Sequence, residues 1–234
     1  MKIMTFNVQH CKCYRTGEID YELFGETLRQ IGADVVGINE IYGGGEGSRF
    51  GDQVARLAEL GGYPYSYFAK AISVQGTSPY GNAILSRIPI AEVRVLPIPD
   101  PPAEGRIGTY HYETRCILKA RLENGVWVLV THMGLNPEEH ENAKGAVLSA
   151  LEPERCILMG DFNMRPDHEV IAAISSHMVD AAHCFREPLQ SFPSDKPIKK
   201  IDYVFASPDL HVSAADIPAL VVSDHRPHIA EINR

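Results

Sequence analysis

Polar residues with metal-binding or acid–base chemistry follow several apolar, β-type stretches of this chain. Near the N-terminus Asn7 follows Thr5-Phe6, and Glu40 follows Ile38-Asn39. Later, Gly160-Asp161-Phe162-Asn163 and Ser223-Asp224-His225 each follow a stretch of the same kind. A rigid sheet can bring oxygen and imidazole groups at strand ends to one point, and hard oxygen ligands suit Mg²⁺ or Mn²⁺. The pattern predicts a divalent-metal site that handles a phosphate.

The Gly-Asp-Phe-Asn motif predicts two groups on one face. Asp161 and Asn163 should share a side of the strand end, with Phe162 directed into the core. Asp161 is expected to orient or deprotonate a water, and Asn163 to donate to phosphoryl oxygens. The alternative is an Asx-rich turn. Taken singly, Glu40 also fits a surface loop and Asn7 a turn, so the metal interpretation depends on the whole set.

Two histidines and two further carboxylates extend the set. His132 ends a strongly β-type run, where a lone His is commonly a packed core residue; beside a phosphate it would serve as a hydrogen-bond donor or general acid. Asp202 and His225 are expected to form an acid–imidazole pair that fixes the His tautomer and keeps the ring cationic. Asp224 is a further candidate metal ligand.

The surrounding pattern is rich in strands. Strands are predicted at 3–8, 35–38, 65–69, 83–86, 91–96, 116–122, 126–131, 156–159, 203–206, 212–215 and 229–232. Helices are predicted at 21–31, 53–60, 137–151 and 168–175, with N-caps at Asp20, Asp52, Asn136 and Asp167. Turn-rich loops are expected at 43–47 and 97–102, and Glu123-Asn124-Gly125 is typical of a hairpin turn. Many strands with few helices favour two mixed sheets packed face to face with helices outside.

Composition narrows the class of protein. The 234 residues, 44% of them hydrophobic, fit a single domain over 1–234, and apolar runs of strand length predict no transmembrane helix. The N-terminus lacks the apolar core of a signal peptide. The five cysteines have no metal-site spacing, which favours free thiols in a reducing compartment. We therefore expect a cytoplasmic protein.

The charge disfavours a general nucleic-acid binder. The net charge is −8, whereas gripping nucleic acid normally requires a basic stripe. The densest basic cluster is Lys196, Lys199 and Lys200, in a proline-containing loop that leads to Asp202. This loop is expected either to hold the non-scissile part of an anionic substrate, chiefly through Lys200, or to be a solvated surface loop.

Taken together, these motifs resemble the endonuclease/exonuclease/phosphatase superfamily of metal-dependent phosphohydrolases, which includes deoxyribonucleases and sphingomyelinases. The matching positions occur in the family's order over the whole chain: Asn7, Glu40, the 81–86 strand with Asn82, Thr131-His132, Gly160-Asp161-Phe162-Asn163, Ile201-Asp202-Tyr203 and Asp224-His225. The resemblance implies a four-layer α/β/β/α sandwich. It also implies Mg²⁺ or Mn²⁺ held chiefly by Glu40, with Asn7, Asp161 and Asp224 close to it.

The resemblance extends to roles in catalysis. It implies that Asp161 and Asn163 position the water and the transition state, that Asp202 orients His225, and that His132 and His225 contact the scissile phosphate. Asn82, Arg115 and Lys200 are expected to bind substrate. Gln9 stands where abasic-site endonucleases have Asp, so that part of their metal site is not matched. The 131–135 segment resembles the His-containing version found in the sphingomyelinase, deoxyribonuclease and bacterial metal-dependent hydrolase branches. The 191–202 segment resembles that of small bacterial members.

The sequence thus predicts a metal-dependent phosphodiesterase or phosphatase in which water attacks phosphorus in line. The expected partner is a small phosphorylated substrate. A nuclease acting on DNA or RNA is the alternative, and an inactive binding protein of the same fold is a more remote one, because every expected catalytic position holds a competent residue type. The oligomeric state is left open.

Overall fold

A computed structural model describes residues 1–45, 48 and 50–233 of the chain. Two six-stranded sheets contain all of the named strands in this part of the chain. The strands are β1 (Lys2–Asn7), β2 (Val35–Tyr42), β3 (Tyr65–Val74), β4 (Ser78–Ser86), β5 (Ile90–Ile98), β6 (Arg115–Leu122), β7 (Trp127–His132), β8 (Cys156–Asp161), β9 (Val179–Asp180), β10 (Asp202–Ala206), β11 (His211–Asp216) and β12 (His228–Asn233).

Both sheets are mixed. The first has the order β11-β12-β1-β2-β4-β3 and the second the order β5-β6-β7-β8-β10-β9. Parallel pairing occurs between β1 and β2 and between β7 and β8, while the other strand pairs are antiparallel. Each parallel pair is joined through a helix, because parallel neighbours need a long crossover connection.

Local sequence signals define the helices. They are α1 (Tyr21–Ile31), α2 (Gln53–Gly61), α3 (Pro137–Ala150) and α4 (Glu169–Ser175). The side chains of Asp20 and Asp52 accept hydrogen bonds from the first turns of α1 and α2, and Asn136 with Glu139 forms a capping box on α3. The predicted cap of α4 is wrong: His168, not Asp167, occupies the N-cap, and its imidazole accepts from the Val170 amide.

Three apolar layers separate the sheets and helices. The central layer lies between the two sheets and contains Ile3 and Val35 from the first and Val130 and Met159 from the second. An outer layer packs α1 and α2 on the first sheet through residues such as Phe24 and Leu57. The other outer layer packs α3 and α4 on the second sheet. These layers give the predicted four-layer α/β/β/α sandwich.

Some predicted elements differ from the structure. Strands β3 and β4 are longer than predicted and form a hairpin whose turn residues Gln75 and Gly76 have positive φ values of 52° and 78°. The sequence did not predict this extension because it contains polar residues and Pro79, although proline is tolerated near a sheet edge. The two-residue strand β9 was not predicted. The expected loop at 43–47 includes Glu46 and Gly47, which lie outside the described residues.

The cysteines are unpaired, as their spacing in the sequence predicted. All five cysteines are free, and all but the half-buried Cys184 are buried. Within the described residues, no helix has both the length and the apolar character needed to cross a membrane.

Candidate functional site

Strand register places the chemistry-bearing residues side by side. On the second sheet, His132 at the end of β7 pairs with Asp161 at the end of β8, and Asp161 pairs with Asp202 at the start of β10. On the first sheet, Asn7 pairs with Asn39, one residue before Glu40. The two groups face each other because the sheets pack face to face.

The Asp161 carboxylate is the centre of the cluster. It is buried, and its Oδ2 accepts from Asn7 Nδ2 at 3.0 Å, while Oδ1 accepts from the Asn163 amide at 2.9 Å. The Nε2 atoms of His132 and His225 each lie 3.6 Å from Oδ2. Burial raises the pKa of Asp161, and the nearby charge of His225 opposes that shift. Two imidazoles therefore flank one carboxylate.

The structure brings His225 and Asp202 together in a buried pair. Nδ1 of His225 donates to Asp202 Oδ2 at 2.9 Å. Burial disfavours a charged ring, but the carboxylates of Asp202 and Asp161 outweigh it and raise the pKa of His225. The Phe192 ring packs against the imidazole at 4.8 Å between centroids. The raised pKa favours the imidazolium form of His225, and its Nε2 lies 3.6 Å from Asp161 Oδ2, too far for a hydrogen bond.

His132 has the opposite electrostatic character. The Arg115 guanidinium donates to its Nδ1 at 3.0 Å, and Asn163 Nδ2 lies 3.1 Å from its Nε2. Burial, together with the charges of Arg115 and His225, holds the pKa of His132 well below its usual value. The surroundings of His132 thus oppose a positive charge on its ring, and its expected role as a hydrogen-bond donor or general acid stays a prediction.

Glu40 lies on the facing sheet. Its two carboxylate oxygens accept from Asn7 Nδ2 at 2.9 Å and from the Tyr80 hydroxyl at 3.0 Å. Glu40 and Asn163 have positive φ values of 58° and 55°, a left-handed conformation that is uncommon for residues other than glycine. Such strain persists where the surrounding structure over-determines it, commonly at functional sites.

Asp224 reaches the cluster through Gln9. The side-chain Nε2 of Gln9 donates to Asp224 Oδ2 at 3.0 Å, and the backbone amide of Gln9 donates to Asn7 Oδ1 at 3.1 Å. Gln9, His10 and Cys11 all have positive φ, at 42°, 48° and 63°. Burial raises the pKa of Asp224, with His225 opposing it. The residue at which the sequence departs from the abasic-site endonucleases therefore links two of the predicted metal ligands.

Asn82 lies in a buried hydrogen-bond network between the two sheets. Only 2% of its surface is exposed, and its Oδ1 accepts from Asn39 Nδ2 at 2.8 Å. Asn39 in turn accepts from the Asp161 amide at 2.9 Å and donates to the Thr131 carbonyl at 3.0 Å. Asn82 thus helps Asn39 to join the two sheets behind the site, and its expected contact with substrate stays a prediction.

The expected substrate cations are already paired. Lys200 is 7% exposed, its ammonium donates to Asp180 Oδ2 at 3.0 Å, and it lies 3.3 Å from the centroid of the Tyr203 ring. Burial lowers the pKa of Lys200 to about 8, with Asp180 opposing. Lys200 is therefore not the open rim charge that was predicted. Arg115 points to the site through His132, but its guanidinium also pairs with Glu113 at 2.7 Å.

The donor set fits a hard divalent cation. One ligand atom from each of Glu40, His132 and Asp161 lies within 4.8 Å of the others, and Asp161, Asp202 and His225 form a second such group. In the part of the chain that the structure describes, neither Glu40 nor Asp224 pairs with Lys or Arg. Uncompensated carboxylates with amide oxygens are the ligands that Mg²⁺ and Mn²⁺ prefer.

Three residues of the site were missed or undervalued from the sequence. Tyr80 carries the hydroxyl that contacts Glu40, Asn39 joins the sheets, and Gln9 was noted only as a departure. A buried Asn at the end of an apolar strand is a usable signal, since such a group must find a partner. Nothing local marks Tyr80, whose role depends on the β2–β4 pairing.

Comparison with known proteins agrees with this geometry. Residues 4–225 match the model of the Endonuclease/Exonuclease/phosphatase family. No curated protein matches the chain significantly. The solved endonuclease/exonuclease/phosphatase from Beutenbergia cavernae is 23% identical with a TM-score of 0.81, over 100% of this chain and 71% of that one.

Two further solved structures have the same fold. The mannosyl-6-phosphatase from Bacteroides thetaiotaomicron is 16% identical with a TM-score of 0.77, over 100% of both chains. The human Nocturnin catalytic domain, solved with a sulfate anion, is 15% identical with a TM-score of 0.70, over 100% of this chain and 94% of that one.

Proposed function

We propose that this chain, which belongs to the Endonuclease/Exonuclease/phosphatase family, is a divalent-metal-dependent hydrolase of a small phosphate ester. Members of this family are generally hydrolases. The observation that carries the proposal is the arrangement around Asp161, whose buried carboxylate lies 3.6 Å from two imidazoles, one of them bonded to Asp202. Perturbed carboxylate and imidazole groups of this kind are typical of hydrolytic centres.

The metal would be held mainly by Glu40, with Asn7, Asp161 and Asp224 around it. When bound, Mg²⁺ or Mn²⁺ supplies positive charge that stabilises the negative charge developing on phosphoryl oxygens. Asn7 lies between two of these carboxylates, because its Nδ2 donates to Glu40 and Asp161 together; its ligand atom for a metal would be Oδ1, which accepts from the Gln9 backbone amide. Tyr80 limits the rotation of the Glu40 carboxylate by donating to its second oxygen.

Side chains of the protein have the remaining roles in the reaction. Asp161 retains acceptor capacity beyond its two amide hydrogen bonds, so it can orient the attacking water or accept its proton. The Nε2–H of His225 has no partner at hydrogen-bond distance in Asp161, which leaves it free to donate to a phosphoryl oxygen. Asp202 keeps that ring protonated and fixed. Asn163, whose amide also contacts Met133, borders the same space.

A small substrate is favoured over a nucleic-acid duplex. The net charge of −8 opposes binding of a polyanion, whose affinity depends on neutralising many phosphates. One protein of the same fold is a mannosyl-6-phosphatase, which supports a compact phosphorylated substrate here.

A substrate screen tests the proposal. Protein stripped with chelator and supplied with Mg²⁺ or Mn²⁺ is incubated with phosphomonoesters, phosphodiesters, sphingomyelin, plasmid DNA and RNA. We expect metal-dependent hydrolysis of a small ester. Preferential cleavage of plasmid or RNA would establish a nuclease instead, and no hydrolysis of any substrate with either metal would favour an inactive binding protein.

A further inference from the structure

A cavity of about 540 Å³ is lined by the 165–167 and 185–190 segments and by residues just before β10, and neither the proposed metal ligands nor His225 lines it. Its walls include Arg165, two residues beyond Asn163, and Lys199 and Lys200, just before Asp202. The Tyr203 hydroxyl donates to the carbonyls of Met164 and Lys200, at 2.9 and 3.3 Å, and so ties these two segments together. These two segments lead from the walls of the cavity to Asn163 and Asp202.

The cavity carries cations from three separate segments. Arg165, Arg186 and Lys199 line it and are exposed, and none of them forms an ion pair within the described residues. The acids on its walls are Asp167 and Glu187, together with Asp180, whose charge is paired with Lys200. The unpaired cations thus exceed the unpaired acids by one, in a chain whose net charge is −8.

Apolar side chains complete the walls. Phe185, Leu189 and Ile198 line the cavity, and Ile198 is 60% exposed. The Lys199 ammonium lies 6.0 Å from the centroid of the Phe192 ring, and that ring packs on His225 at 4.8 Å. One aromatic ring therefore separates a cation of the cavity from the imidazole at the centre.

We propose that this cavity, the basic pocket, binds a second phosphate group of a ring-bearing substrate, so that the enzyme prefers small bisphosphates. The inference rests on the proposed function, because it places the first phosphate at Asp161 and His225. The apolar walls fit the ring, and Arg186 and Lys199 fit the remote phosphate. The volume lies in the range of small-molecule sites and is too small for a duplex.

Matched substrate pairs test the pocket. Phosphate release is measured for glucose 6-phosphate and glucose 1,6-bisphosphate, and for adenosine 5′-monophosphate and adenosine 3′,5′-bisphosphate. The proteins are the wild type, Arg186→Ala, Lys199→Ala, the double variant and the control Lys196→Ala. Lys196 is exposed on the same loop as Lys199 but does not line the cavity.

We expect the kcat/KM of the wild type to be about tenfold higher for the bisphosphate than for the monophosphate in at least one pair. The difference should lie in KM, and its size corresponds to one charge-assisted hydrogen bond. That preference should disappear in the double variant and persist in Lys196→Ala. A wild type without the preference, or a double variant that keeps it, would overturn the pocket assignment.

A second measurement distinguishes a failure of the proposed hydrolase function from a failure of the pocket assignment. If the wild type hydrolyses neither member of a pair with Mg²⁺ or Mn²⁺, calorimetric titration with the two bisphosphates still decides the pocket. Binding that weakens about tenfold in the double variant, and not in Lys196→Ala, supports the pocket; equal binding, or none, by all of the proteins contradicts it.

Discussion

The two imidazoles beside Asp161 lie in opposite electrostatic environments. His225 pairs with the buried Asp202 carboxylate, whereas His132 faces the Arg115 guanidinium. The same residue type thus has a raised pKa in one position and a lowered pKa in the other. This asymmetry favours His225 as the donor to an anionic substrate and leaves His132 as a neutral hydrogen-bonding group.

The Asp202–His225 pair gives a prediction about pH. Asp202→Asn removes the charge that outweighs burial in raising the pKa of His225. The imidazolium should then lose its proton at lower pH, so the alkaline limb of the pH–rate profile should shift down by about one unit or more. We also expect the rate at neutral pH to fall by at least about tenfold.

The matched control for this measurement is Asp216→Asn, on the exposed end of β11. It should keep both the rate and the position of the limb. An Asp202→Asn enzyme with the wild-type profile would remove the pair from the mechanism.

At the residue scale, the sequence predicted which residues form the site better than it predicted their burial and electrostatic surroundings. The residue types and their order located Asn7, Asp161 and Asp202 at strand ends, whereas Glu40 lies within β2 and His225 in the loop before β12. The burial of Lys200 could not be predicted, because it depends on Asp180, 20 residues earlier in the chain. The lowered pKa of His132 likewise depends on its burial and on Arg115 from a neighbouring strand.

At the scale of elements, the site depends on close approach of backbones. Gly160, directly before Asp161, has φ of +148°, and a Cβ there would collide with the Thr131 carbonyl of β7. Only glycine adopts that conformation readily. The parallel pairing of β7 with β8 therefore requires glycine at the position that sets the direction of Asp161.

Gly160→Ala should destabilise the protein by about 3 kcal/mol or more, because it combines backbone strain with a clash. Denaturant unfolding of the variant measures this loss. The control is Gly145→Ala in the exposed face of α3, where a Cβ meets nothing within 4 Å and alanine should stabilise by up to about 1 kcal/mol. Equal stabilities for the two variants would contradict the packing described for β7 and β8.

Elements were predictable where local chemistry marks them. The bounds of α1 follow from the Asp20 cap and from Gly32, which ends the helix in a left-handed conformation with φ of 64°. The ends of α4 were less well marked, so Asp167 was taken for the cap that His168 provides. Strand β9 has only two residues, too few to produce an alternating pattern.

At the scale of the whole molecule, sheet order brings distant segments to one site. Asn7 and Asp161 are hydrogen-bonded although 154 residues separate them. The sequence predicted two packed sheets, but not the order of their strands, because pairing between distant strands leaves no local trace. The family resemblance supplied the architecture, while the contacts of Gln9, Asn39 and Tyr80 required the structure.

The acidic charge of the molecule gives a prediction about salt. A small phosphate ester involves few phosphate contacts, so KM should rise only weakly as the salt concentration increases. A protein that tracks duplex DNA through several phosphates would lose affinity by a factor on the order of a thousand over a modest salt range. Steep salt dependence, together with tight binding to plain duplex DNA measured by fluorescence anisotropy, would favour the nuclease alternative.

The most direct test of the account is the metal dependence of hydrolysis by the wild type and by Glu40→Ala. Turnover of the best small phosphate ester is measured as Mg²⁺ or Mn²⁺ is added to chelator-treated protein, with thermal unfolding as the control for folding. We predict saturable activation of the wild type and a loss of at least about a thousandfold in Glu40→Ala, with the fold retained. A folded Glu40→Ala variant with wild-type turnover and metal dependence would contradict the assignment of the centre.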